Sequence, residues 1–349
     1  MSPLTDYVEK LNSSDEAERI YAAEDIGYWN HPEGVPALLE RLDEEPSLAV
    51  RDAIFQALIR MDGDVAIEGS IRLLGSEDPQ IRNQAVDVLR HKGVRPIPFL
   101  NAVMRNGDKD VRKLVLDVLS GIPAGDAGDI YAQALTDADP NVVITAVENL
   151  GRIRAEEFRS RIEDLLQPGA HPMLVAACVE ALRGIGGESS LVAIRRRFPD
   201  LATLPDFYLA SCLKAIAALG SVNDFAEVAS LLPARGPHLR PAILGALLAI
   251  YPRGPSSDPG EDLLPALRTV VEDGDPQLCR YQAVRILGFW ATRDDVYEFL
   301  VSCLSSPERL LRLGAAESLW GTARPEFEDV LAWRAKAETD EEVLQALGC

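Results

Sequence analysis

An all-α solenoid of about ten stacked helical hairpins is the fold this sequence predicts, and three observations predict it. A phrase recurs: "DPQIRNQAVDVL" (78–89) returns as "DPNVVITAVENLG" (139–151) and "DPQLCRYQAVRILG" (275–288). The recurrence is also regular. Anchored on the arginine of the first phrase, the chain gives Arg19, Arg51, Arg82, Arg112, Val143, Val175, Cys212, Arg240, Arg280 and Arg312, with most gaps between 30 and 32 residues. A near-constant spacing of this length marks a repeat array. The composition agrees, because 47% hydrophobic residues with only 6% aromatics favours closely packed helices over sheet.

Each unit is predicted to hold two helices. Residues 3–12, "PLTDYVEKLN", supply the first short one. The anchor helices start at Asp78, Asp139 and Asp275, which can cap, each followed by a proline whose missing N–H costs nothing there. At 100° per residue, offsets −1, +3 and +7 from the anchor share one face. Those columns read Ile81, Ala85, Leu89 and Val142, Ala146, Leu150, so that face is buried. Gly27, Gly151, Gly220 and Gly288 follow and are expected to end their helices. A shorter apolar helix precedes each anchor helix: "VPALLERL" (35–42), "RPIPFLNAVM" (95–104), "EEFRSRIEDLL" (156–166) and "DDVYEFLVSCL" (294–304). A lone hairpin cannot bury both faces, so neighbours must complete the core. "PRGPSSDPGED" (252–262) reads as an irregular loop, and "RFPDLATLPD" (197–206) as a smaller one. Residues 325–349 form a partial capping hairpin, in which Trp333, with the nearby Trp320, is expected to pack.

The cadence D-P-x-V/I-R-x-x-A-x-x-x-L-G resembles that of HEAT-like repeats, particularly the short variety of phycobilisome lyase subunits, over essentially the whole chain. The resemblance implies a right-handed solenoid, with residues 1–349 as a single array. It also implies that the second helix of each hairpin lines the concave side, and that the anchor arginine pairs with acids near the turns. Val143, Val175 and Cys212 break that arginine column in three consecutive units.

Chemistry is hard to find in the residues. The four histidines, His31, His91, His171 and His238, form no His-Glu dipeptide, which argues against the iron-dependent hydroxylases of this repeat class. His31 and His171, each before a proline, read as cap or turn residues. No metal-binding, P-loop, dinucleotide or nucleophile-elbow motif occurs, and "RGIGGE" (183–188) follows a helix, so it reads as a turn. The expectation is no catalysis, no metal and no cofactor. A net charge of −20 disfavours nucleic acid and anionic membranes as partners, and with them the HEAT-like DNA glycosylases. "IRRRF" (194–198) is the one dense basic run, expected to be solvated. No apolar run reaches bilayer length and the N-terminus lacks a signal pattern. The five cysteines (178, 212, 279, 303, 349) lack paired spacing and read as reduced, Cys349 as an exposed thiol. These features fit a cytoplasmic protein.

One surface is singled out. Offset +5 lies opposite the buried columns and reads Glu24, Gln56, Asp87, Asp117, Glu148 and Glu180 in the first six units, then Ala217, Gly245, Arg285 and Glu317. The flanking offsets add Tyr21, Tyr28, Lys113, Arg152, Lys214, Tyr281 and Phe289. Glu24, Asp87, Asp117, Glu148 and Glu180 form an acidic ridge suited to a basic protein or peptide, with Tyr21, Tyr28, Tyr281 and Phe289 as anchors. The expected function is a non-catalytic scaffold or adaptor. The alternative, which the phycobilisome-lyase resemblance implies, is a factor that handles a tetrapyrrole on an acceptor protein.

Overall fold

The computed structural model of the protein describes residues 3–123, 127–251, 259–320 and 327–348. All regular structure among the described residues is helical, without a strand. They fall into two compact units, Met1–Ile162 and Glu163–Cys349.

The first unit begins with α1 (Pro3–Leu11), α2 (Glu16–Tyr28), α3 (Val35–Glu44), α4 (Leu48–Arg60) and α5 (Asp64–Leu73). It continues through α6 (Pro79–His91), α7 (Ile97–Asn106), α8 (Lys109–Ser120), α9 (Gly128–Ala134) and α10 (Pro140–Arg152). Each odd-numbered helix packs on the even-numbered one that follows, and α2, α4, α6, α8 and α10 form a file, each against the next. Short polar side chains start the even helices: Asp15, Asp78, Asp108 and Asp139 each accept a first-turn N–H at 2.8 Å. Ile81, Ala85 and Leu89, with Val142, Ala146 and Leu150, are buried as the periodicity predicts.

Two predicted helix ends move. Gly27 and Gly151 lie inside α2 and α10 and do not terminate them. Gly27 is there because α4 comes so close: a Cβ on it would stand 2.6 Å from the Cα of Ala57. Only a glycine admits that approach.

The boundary between units falls in α11 (Arg159–Glu163), so most of the predicted helix at 156–166 is reduced to a 3-10 turn and five α-helical residues. The second unit contains α12 (Pro172–Ile185), α13 (Glu188–Arg197), α14 (Asp206–Leu219), α15 (Phe225–Ala234) and α16 (Arg240–Ile250). Then come α17 (Gly260–Glu272), α18 (Gln277–Leu287), α19 (Asp294–Cys303), α20 (Arg309–Leu319), α21 (Phe327–Ala335) and α22 (Glu341–Ala346). Here α12, α14, α16, α18, α20 and α22 make the file. Gly186 and Gly187, at φ of 84° and 106°, turn the chain from α12 to α13, as "RGIGGE" predicts.

Other expectations are corrected or only partly testable. Residues 260–262 open α17 instead of ending a loop, while 252–258 lie outside the described residues, as do Cys349 and positions 325–326 of the terminal hairpin. Asp275 does not cap α18, because its carboxylate bonds to Arg240. Trp320 and Trp333 were expected to pack but are 54% and 57% exposed, on the turn and the short helix that close the second unit. Cys178, Cys212, Cys279 and Cys303 are free and buried, and burial pushes the Cys178 and Cys212 thiols up to about 12.

The anchor arginines are the joints of each file. Arg19 grips Glu45 with two bonds of 2.8 and 3.0 Å, and Arg51 reaches Asp78 at 2.9 Å. Arg112 grips Asp137 twice at 2.7 Å, whereas Arg82, among the described residues, binds the Ser76 and Glu77 carbonyls and no acid. In the second unit Arg240 pairs with Asp275, Arg280 with Glu308, and Arg312 grips Glu338 at 2.8 and 3.0 Å. Each acid sits in the turn before the next even helix, so each joint ties one repeat to its successor. Planar two-point pairing suits arginine and fixes orientation.

Candidate partner-binding face

The +5 column emerges on the solvent side of the first unit's file. Glu24 on α2, Asp87 on α6 and Glu148 on α10 are exposed, and Asp117 on α8 is half-buried. Burial raises the Asp117 carboxyl above its ordinary value, with Lys113 and Arg90 opposing the shift. No ion pair or hydrogen bond engages the Glu24 or Glu148 side chain among the described residues. Asp87 has a single loose ion pair, to Arg90 at 3.5 Å.

Of the hollows on this face, one between α6 and α8 reaches Asp117 and Lys113, and two more flank it. One of about 340 Å³ lies between α4 and α6, lined by Leu48, Asp52, Phe55, Gln84 and Asp87 among others. The other, about 570 Å³, lies between α8 and α10 and brings Asp117 and Glu148 together with Lys113, Ile144 and Arg152. The predicted residues thus divide into groups: Asp87 at one hollow, Asp117 with Glu148 at the other, and Glu24 apart on α2.

Cations border the ridge on its C-terminal side. Arg90 donates to the Asp117 carbonyl at 2.8 Å, Arg152 to the Ser120 carbonyl at 3.0 Å, and Lys92 to the Ile59 carbonyl at 2.8 Å. Each contact places a positive charge at the carbonyl end of a neighbouring helix, where the helix dipole favours it. The acids therefore form a strip with a positive margin, narrower than the column alone suggests.

In the second unit the predicted residues are engaged internally. Arg183 bonds to Glu180 and holds its carboxyl below the usual value. The Tyr281 hydroxyl donates to Glu317 at 2.7 Å, and Arg285 joins both. Phe289 stacks on Tyr251, ring centres 3.9 Å apart and nearly parallel. Tyr21 and Tyr28, by contrast, are exposed on α2 at 65% and 71%, with Tyr28 edge-on to the Trp29 ring. The "IRRRF" run is only partly solvated. Arg195 bonds Asp224 at 2.6 Å and Glu227 at 2.5 Å, Arg197 lies over the Phe198 ring, and Arg196 is exposed.

Two structural residues escape a helical-wheel reading. Glu45 is fully buried, taking Arg19, Arg41 at 2.7 Å and the Ser47 amide at 2.8 Å. Glu338 repeats the arrangement with Arg312, Arg334 at 2.9 Å and the Thr339 amide at 3.0 Å. The signal was present: an anchor arginine followed 22 residues later by R-x-x-x-E, once as Arg19, Arg41, Glu45 and once as Arg312, Arg334, Glu338. His31 and His171 occupy the N-cap positions before their prolines, although neither ring makes a capping bond.

Among the described residues no group of three or more His, Cys, Asp or Glu side chains is placed to hold a metal, and no helix is long and apolar enough to cross a membrane. Residues 4–90, from α1 through nearly all of α6, match the family model of HEAT repeats. That match names HEAT repeats and not phycobilisome lyase subunits. No curated protein matches the chain.

Proposed function

Starting from a HEAT-like repeat protein, a class that generally mediates protein–protein interaction and typically scaffolds without catalysis, we propose an adaptor that holds a basic protein segment along the file of even-numbered helices. The observation that carries this reading is the recurrence of an acid on that face in α2, α6, α8 and α10, with Glu24 and Glu148 unspent on internal pairs. Neighbouring helices lie roughly 8–10 Å apart, so the carboxylates sit at intervals an extended or helical basic segment can follow. Electrostatic attraction of this kind accelerates encounter and is screened by salt. The same negative charge disfavours nucleic acid and anionic membranes as partners. The proposal also takes the protein to be cytoplasmic and residues 1–349 to form a single right-handed array. The second reading, a tetrapyrrole-handling factor, has no observation in its favour.

A fluorescent Lys/Arg-rich peptide tests the reading. The triple variant Glu24→Lys, Asp87→Lys, Glu148→Lys is expected to weaken its binding at least tenfold and flatten the salt dependence, with helical content unchanged. Unaltered affinity overturns the proposal.

A further inference from the structure

At offsets +2 and +6 the first repeat is more open than the later repeats of its unit. Within a file, offset +8 of one even helix packs on offset +6 of the next: Gly27 meets Ala57, and Gly288 meets Ser318. Offset +2 also faces backwards, since a Cβ on Gly314 would meet the Tyr281 ring at 3.0 Å. In the first unit the +6 column reads Asp25, Ala57, Val88, Val118 and Asn149, and all but Asp25 are buried. The +2 column reads Tyr21, Ala53, Gln84, Leu114 and Thr145, of which Tyr21 alone is exposed. Beside Tyr21, α2 shows Tyr28, at an offset that is exposed in the later repeats as well (Arg60, His91, Gly121, Arg152), together with Trp29 at 59% exposure against the Tyr28 ring. Large exposed aromatics grouped on one face mark interaction surfaces.

Charge points to the occupant. The exposed side of α2 carries Glu16, Glu18 and Glu24 beside half-buried Asp25, and its single arginine, Arg19, is buried on Glu45. The neighbouring Lys10 is bonded to Asp6 at 2.8 Å. A second copy docking through this same face would set acids against acids. A basic partner meets no such repulsion.

We infer that the Tyr21–Asp25–Tyr28 face of α2 receives an amphipathic helix of a basic partner, which packs as a preceding even helix would. This deepens the adaptor reading and rests on it, but names a different face and a folded occupant. Tyr21 and Tyr28 lie two turns apart, about 10 Å along the axis. They would flank an aliphatic ridge of the incoming helix, leaving its lysines to Glu24, Asp25 and the first-turn acids. Pairing of this kind is helix-in-groove recognition.

The test uses an 18-residue peptide with a Leu/Ala face bordered by lysines, and a control of the same residues broken by two prolines. With the full-length protein, the intact peptide is expected to bind at least tenfold more tightly than the broken one and to gain helicity. Hydrogen-exchange protection should concentrate on residues 16–29. Tyr21→Ala with Tyr28→Ala should cost tenfold or more in affinity, a larger loss than Asp87→Lys with Glu148→Lys, which reports on the ridge. Equal binding of the two peptides, or indifference to the tyrosine pair, overturns the inference. If the ridge variant alone weakens binding, the α2-face inference fails and the adaptor reading stands. Indifference to both variants sinks both.

Discussion

The arginine joints of the first unit differ from those in the first half of the second, and the difference lies in who holds the carboxylate. In the first unit Arg19 and Arg112 hold acids of the following turn in two-point grips, within or close to the core. Val175 and Cys212 cannot do so. There the ties move elsewhere: Arg195 of α13 takes Asp224 and Glu227, while Arg235 and His238 reach back to Asp206 at 3.2 and 2.7 Å. Arg235 also donates to the carbonyls of Leu201, Ala202 and Leu204. Losing the anchor arginine has therefore not left the repeats untied. It has replaced buried joints by more exposed ones, which water and salt screen more.

The comparison sharpens first where the joints are deepest. Glu45→Ala and Glu338→Ala each strand two arginines, and each should cost about 3–5 kcal/mol. Hydrogen exchange should show the first loosening α2 and α4, and the second α20 and α22. Uniform loosening of the whole chain by either variant would break the idea of separately tied repeats.

Acid should separate the two kinds of joint next. Arg312, aided by the Asp340 and Thr339 amides and Arg334, holds the Glu338 carboxyl down at about 2, against an ordinary 4.5. A depressed carboxylate contributes its stability above the unfolded pKa and loses it as pH falls through the folded one. About 3 kcal/mol should thus vanish between pH 4.5 and 2. Glu338→Gln should flatten that stretch of the pH–stability curve.

The smallest effect belongs to a rerouted tie. Arg235→Ala removes several bonds from a partly exposed side chain and should cost about 2 kcal/mol. High salt should reduce that cost more than it reduces the cost of Glu45→Ala. Equal salt sensitivity would erase the distinction.

Much of this was legible in the residues because a helix has a fixed period. The anchor spacing located the even helices, and in the first unit the +5 column emerged on their solvent side as the 100° step requires. The partners of the anchors were not legible, because Glu45, Asp78, Asp137 and Asp275 follow their arginines by 26, 27, 25 and 35 residues. Turn lengths vary, and 55 acids offer too many choices. Tyr21 was read as a flank of the open face, since a helical wheel gives a direction but not the neighbour waiting there. Tyr281 and Phe289 illustrate the reverse: their offsets suggested presentation, yet Glu317 and Tyr251 occupy them.

The matched clusters around Glu45 and Glu338 bear on how the molecule comes apart. Chains built from repeats ordinarily fray from their tips inward, since an outermost repeat has one neighbour where others have two. Here the joints at Glu45 and Glu338 each gather two arginines and a backbone amide on one buried carboxylate. Breathing should therefore begin at interior repeats, around Val175 and Cys212, so that a protease meets its first cleavable site in mid-chain and liberates two large, still-folded fragments.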